Sequence, residues 1–177
     1  ACQHGLDTSI KEGSGSNKKG KIKCLCIGDG CTPRTAVLGC FLKKWDCTSI
    51  DPALHEVWHD DTPKGVRGLV GFGGTLEEYM STTKQTDSNE ETYDHLVILC
   101  VHSHARLIVN ASISNIMIRY NNIPTTLIAL DCCPKFKTQR DIGRAPDVCY
   151  EDDCVFSACR KVEVWNLKGF ATCGECS

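Results

Sequence analysis

Residues 24–36 read Cys-Leu-Cys-Ile-Gly-Asp-Gly-Cys-Thr-Pro-Arg-Thr-Ala, and Asp51 closes the next apolar run. An apolar strand-like stretch thus runs straight into a Gly-x-Gly turn and a helix start. Gly28 and Gly30 can take positive φ and allow a ligand close to the backbone. Thr32 suits an N-cap, and Pro33 at the first helical position has no amide hydrogen to leave unpaired. The amides of that helix start would face the space above the turn. Asp51 is placed to accept from a ribose hydroxyl. A plain βα turn would also need the glycines. The helix-start signals and Asp51 are what favour a nucleotide-like ligand.

The remaining chain alternates short strands with helices. Lys21–Ile27 reads as a buried strand. Pro33–Lys44 reads as a helix with Ala36, Val37, Cys40 and Phe41 on one face. Cys47–Ile50 and Val66–Gly71 are the next strands. Thr75-Leu76-Glu77-Glu78 is a capping box that opens a further helix. After a polar loop over 81–93, Leu96–Val101 is the most apolar run. A helix over 105–120 would share a face through Leu107, Ile108, Ala111 and Ser114, ending at Asn121-Asn122. Thr125–Leu130 is the fifth strand, and 134–150 reads as an ordered loop. Val155–Ser157 and Val162–Trp165 suggest a late hairpin around Cys159-Arg160-Lys161. Such alternation predicts right-handed βαβ units, a mostly parallel sheet, and ligands at the carboxyl ends of the strands.

A chain of 177 residues fits one domain, here 21–177, after an N-terminal arm over 1–20 of flexible composition. The net charge of −2 supplies no global basic field. Two local basic stretches, Lys18, Lys19, Lys21, Lys23 and Lys135, Lys137, Arg140, Arg144, leave nucleic acid open as a partner, although such stretches are more often a solvated surface than a phosphate track. The fourteen cysteines admit a disulfide scaffold or a reduced protein. Cys24, Cys26 and Cys100 lie inside apolar runs, where a thiol acts as a small hydrophobe. With no signal peptide read at the start, an intracellular, cytoplasmic location is expected. No run is long enough to span a membrane.

The fourth strand ends in His102-Ser103-His104 and the fifth in Asp131-Cys132-Cys133-Pro134. If neighbours, these ends would gather His102, His104, Asp131, Cys132 and Cys133. That group suits a substrate pocket with His102 as a base, a metal site, or simple packing; it lacks the usual zinc spacing. Phe72-Gly73-Gly74-Thr75 would let a flat ring lie on the backbone under Phe72, or form an ordinary turn. In the cysteine-rich tail, Cys173-Gly-Glu-Cys176 has a zinc-knuckle spacing, with Cys154 or Cys159 as partners. No P-loop, Gly-x-Ser-x-Gly elbow or His-Glu-x-x-His is present.

The order of these pieces resembles class I S-adenosylmethionine-dependent methyltransferases over about residues 21–167. Cys26-Ile27-Gly28-Asp29-Gly30 is similar to the family's glycine motif. Asp51 is similar to its ribose acid, Gly73-Gly74-Thr75 falls at its adenine contact, and Tyr93-Asp94-His95-Leu96-Val97-Ile98 matches its lead into strand four. Val101-His102-Ser103-His104-Ala105 and Leu130-Asp131-Cys132-Cys133 are similar to a eukaryotic subset that includes tRNA-modifying relatives. The resemblance implies a Rossmann-like three-layer α/β sandwich, its mostly parallel seven-stranded sheet closing with an antiparallel last strand near Arg160–Trp165. It implies S-adenosylmethionine as cofactor, held by Gly28, Asp29, Gly30, Thr32, Asp51, Gly73 and Gly74. His102 and His104 would border the acceptor pocket. Where the family has an acid before the first glycine, this chain has Cys26; the Asp/Asn-Pro-Pro-aromatic motif after strand four is absent. Two other classes stay open. One is a non-catalytic binding or assembly protein on this fold. The other is a nucleotide-cofactor oxidoreductase, against which Pro33 stands at the third-glycine place.

Overall fold

The computed structural model describes residues 20–59, 65–82, 92–130, 138–154 and 160–167. In chain order the elements are β1 (Ile22–Ile27), α1 (Arg34–Leu38) running into a π-turn at Gly39–Lys43, β2 (Asp46–Ile50), and a 3-10 turn at Glu56–Trp58. Then come β3 (Leu69–Phe72), α2 (Leu76–Thr82), β4 (His95–Val101), a π-turn at Val109–Ile113 leading into α3 (Ser114–Arg119), β5 (Thr125–Leu130), α4 (Thr138–Ile142), β6 (Val148–Glu151) and β7 (Lys161–Leu167). The protein is an α/β chain with one seven-stranded sheet in the order β3-β2-β1-β4-β5-β7-β6. Strands β1 to β5 pair in parallel. β7 runs antiparallel to both of its neighbours, β5 and β6. The expected mostly parallel sheet with a reversed last strand is therefore present.

Burial on both faces explains why the central strands read as unbroken apolar runs. In β1, Leu25 and Ile27 join a core with Leu96, Ile98, Ile116, Met117, Leu127 and Trp165. Cys24 and Cys26 point the other way, into a second core with Ala36, Cys40, Cys47, Leu69 and Val97. Trp165 is fully buried, and its indole donates to the Arg144 carbonyl at 3.2 Å. The predicted capping box opens α2: Glu78 accepts from the Thr75 amide at 2.7 Å, and Thr75 Oγ1 accepts from the Glu78 amide at 3.2 Å.

Several expectations are corrected. The helix over 33–44 is a short α-helix plus a π-turn, whose i→i+5 pairing inserts an extra residue per turn. Ala36 and Cys40 stay buried, but Phe41 swings out to 56% exposure. The helix expected over 105–120 starts later: 103–108 are irregular, and the buried face is Ile113, Ile116 and Met117, while Ile108 and Ala111 are exposed. The stretch read as a loop over 134–150 contains α4 and β6. The strand antiparallel to β7 at this end is β6, from the stretch read as a loop; the expected first arm of the late hairpin, Val155–Ser157, lies outside the described residues, as do most of the N-terminal arm and the Cys173–Cys176 pair. Among the described residues, no helix is long and apolar enough to cross a membrane.

Candidate functional site

The turn after β1 is built as its glycines require. Gly28 and Gly30 sit at φ 75° and 81°. The Gly28 amide extends the ladder by donating to the Ile50 carbonyl at 2.8 Å. A Cβ on Gly28 would come within 2.5 Å of Ser103 Oγ, so the turn after β1 is pressed against the end of β4. A Cβ on Gly30 would meet nothing within 4 Å, so Gly30 serves conformation and leaves the space above it open.

Asp29 turns inward and caps α1. Its carboxylate accepts from the Thr35 and Ala36 amides, both at 3.0 Å, and from Ser49 Oγ at 3.3 Å. This corrects two expectations. The N-cap position falls on Pro33, which makes no side-chain cap, and Thr32 caps nothing; its hydroxyl lies 3.9 Å from Cys31 Sγ. The helix-start amides expected to face a ligand are taken by Asp29. The physical reason is that Pro33 lacks a side-chain oxygen, so a carboxylate upstream in the turn supplies it.

Asp51 stands beside this turn. One carboxylate oxygen accepts from the Gly30 amide at 2.8 Å and the other from the Ala53 amide at 2.7 Å. Each oxygen keeps a second lone pair, so the group can still accept a hydroxyl. The Asp51 amide donates to the Phe72 carbonyl at 3.2 Å, linking the ends of β2 and β3.

At the end of β3 the Nε2–Cε1 edge of this chain's own His59 imidazole sits against Gly73. A Cβ on Gly73 would overlap the His59 imidazole, and one on Gly71 would overlap the Trp58 carbonyl. Gly74 is hemmed by Phe72 and Glu78, where a Cβ would sit 2.6 Å and 2.9 Å from their side-chain atoms. Phe72 packs edge-on against Tyr79 at 5.3 Å between centroids.

After β4, His102 adopts a left-handed backbone at φ 55°, and its amide donates to the Leu130 carbonyl at 2.8 Å. That conformation costs a side-chain-bearing residue about 1 kcal/mol or more. His102 and His104 are exposed and Ser103 is buried beneath them, its Oγ accepting from the Ala105 amide at 3.1 Å. Asp131, Cys132 and Cys133, expected to join the histidines, lie outside the described residues. The signal for Ser103 was present in the His-Ser-His triplet, but only the fold shows that it abuts Gly28.

Four thiols fill the core behind the turn. Cys24 Sγ lies 3.7 Å from Cys26 Sγ, and Cys24 sits in register with Cys47 on β2. Hydrogen bonding with Cys26 and burial hold Cys24 above an ordinary thiol, Cys47 is raised by hydrogen bonding with Cys24 and by burial, and burial pushes Cys40 up to about 12. Cys26, the residue two places before the first glycine, is 1% exposed and packs into the second core. Among the described residues no cysteine is in a disulfide, and no group of three His, Cys, Asp or Glu could hold a metal.

The basic stretches are partly engaged. Lys21 pairs with Asp46 at 3.1 Å and lies over Tyr93, as does Lys23. Arg144 is held by Asp147 at 2.8 Å and by the Asn166 carbonyl. Lys18, Lys19, Lys135 and Lys137, and the side chain of Arg140, are outside the described residues. A half-open groove of about 360 Å³, lined by Cys40, Phe41, Lys44, Trp45 and Arg67 among others, lies at the opposite, amino-terminal edge of β2.

No family model, curated protein or solved structure gives a significant match to this chain.

Proposed function

We propose that the chain is a methyltransferase-like protein that binds S-adenosylmethionine at the carboxyl edge of β1, β2 and β3. The observation that carries this reading is the sheet order. Order 3-2-1-4-5-6 belongs to Rossmann-type dinucleotide folds. Here a reversed β7 is inserted between β5 and β6, which is the reversed last strand that the resemblance implies. The fold is then a Rossmann-like sandwich with unusually short helices. In this reading Gly30 offers open backbone to the cofactor, Asp51 takes the ribose hydroxyls, and His102 and His104 border the acceptor. Methyl transfer needs in-line positioning and removal of one proton, which His102 would accept. The acceptor class, RNA included, is left to experiment.

A second reading is a binding or assembly protein on a degenerate methyltransferase fold. It is favoured by the buried thiol at Cys26, by Asp29's commitment to α1, and by His59 lying on Gly73.

Calorimetric titration with S-adenosylmethionine, S-adenosylhomocysteine and both nicotinamide dinucleotide states tests these readings. Binding of the first pair alone, weakened at least tenfold in Asp51→Ala, supports the lead. Silence from all four ligands removes both enzyme classes and leaves the binding protein.

A further inference from the structure

The connection between β2 and β3 folds back over the strand it leads to. Residues 54–59 form a short strap. The His55 amide donates to the Cys31 carbonyl at 3.1 Å, which ties the strap to the glycine turn. His55 Nδ1 accepts from the Val57 amide at 3.3 Å and caps the 3-10 turn. At the far end, His59 Nε2 lies 3.1 Å from the Leu54 carbonyl, and the ring rests on Gly73. Gly71 on β3 and Gly73 just past its end both face the strap, since a Cβ on the first would meet Trp58 and one on the second His59. Together they make the bare track on which Trp58 and His59 lie. The strap therefore runs from the turn after β1, past Asp51, to the end of β3.

We propose that His59 is the gate of the adenosine half of this site: its imidazole occupies the place on Gly73 that an adenine ring would take, and the base enters by displacing it. The inference rests on the S-adenosylmethionine reading. An imidazole against the Gly73 backbone makes the kind of van der Waals contact that a purine would make there, over a smaller area. The exchange costs the His59–Leu54 hydrogen bond, so the gate lowers affinity without blocking the site. A residue whose only task is to pin the strap would not have to leave when ligand arrives.

The test is calorimetry with S-adenosylhomocysteine on the wild type and His59→Ala, together with the nuclear Overhauser contact between the His59 ring protons and Gly73 Hα. The gate predicts three- to tenfold tighter binding in His59→Ala. It also predicts a contact that is present in the free protein and lost at saturation. Binding by the wild type that is unchanged or weaker in His59→Ala overturns the gate and leaves the cofactor reading standing. If neither protein binds at millimolar ligand, both fail. Should His59→Ala not fold, as judged by circular dichroism, the wild-type contact decides: its persistence at saturating ligand overturns the proposal.

Discussion

Gly28 and Ser103 touch across the sheet edge: a Cβ on Gly28 would lie 2.5 Å from Ser103 Oγ and 2.9 Å from Ser103 Cβ. That contact locks the turn after β1 to the end of β4, so the two segments that carry the glycine motif and the histidines cannot drift apart independently.

Gly28→Ala therefore meets two penalties, a left-handed backbone at φ 75° and an overlap with Ser103. The expected loss is about 2–4 kcal/mol. In a double-mutant cycle by urea unfolding, Ser103→Gly should recover the overlap with the Ser103 side chain, but not the tight approach to the Ser103 Cα at 3.0 Å or the cost of the left-handed backbone. Equal losses in the single and double variants would show that the contact is not tight.

Asp29→Ala removes the cap of α1 and leaves the Thr35 and Ala36 amides without their carboxylate. The expected cost is about 2 kcal/mol, with Asp29→Asn retaining roughly half. Thermal or urea unfolding reads it directly. Full stability in Asp29→Ala would mean that α1 finds another cap, and the turn would then have a carboxylate to spare for a ligand.

Glu78→Ala breaks the reciprocal pair with Thr75 at the start of α2. It should cost about 1 kcal/mol and relieve the crowding at Gly74. Gly74→Ala, poorly tolerated in the parent, should be milder in the Glu78→Ala background. An additive double variant would place the crowding at Phe72 alone.

The buried thiols make stability fall at alkaline pH. Cys40 titrates near 9.0 when unfolded but is pushed up to about 12 in the fold by burial. Its contribution is fully present below pH 9 and is lost as pH rises toward 12. Urea midpoints should decline over this range, less steeply in Cys40→Ala. In native protein at pH 8, iodoacetamide should label exposed Cys31, Cys149 and Cys154, while Cys24, Cys26, Cys40, Cys47 and Cys100 react only after denaturation. Peptide mass spectrometry separates the two sets, and native labelling of Cys24 would contradict the packing.

The central strands were legible because burial on both faces writes a continuous apolar run, and the Thr75–Glu78 box because its signal is local. β6 was not. All its residues are exposed, it pairs only with β7, and Val-Cys-Tyr-Glu carries no core periodicity. Phe41 was misplaced because a π-turn breaks the 3.6-residue count on which a helical face is read. Asp29 was read as part of a ligand turn because its hydrogen bonds run to residues six and seven positions ahead, beyond the usual capping offset. His59 was silent: a lone histidine before Asp60-Asp61 gains meaning only when the strap lays it on Gly73.

The insertion of β7 between β5 and β6 has a consequence for how the chain is made. The five parallel strands can pair as soon as Leu130 is available, but β5 then ends in an open edge. Its partner begins at Lys161, and β6 has no other strand to join. At elongation rates of about 5–20 residues per second, that gap lasts roughly two to six seconds on the ribosome. Throughout it, the place of Trp165 in the core is empty and an apolar strand edge is offered to any neighbouring chain. A pause in translation between residues 130 and 161 would prolong that exposure and should lower the yield in a cell even though the finished sheet is unchanged.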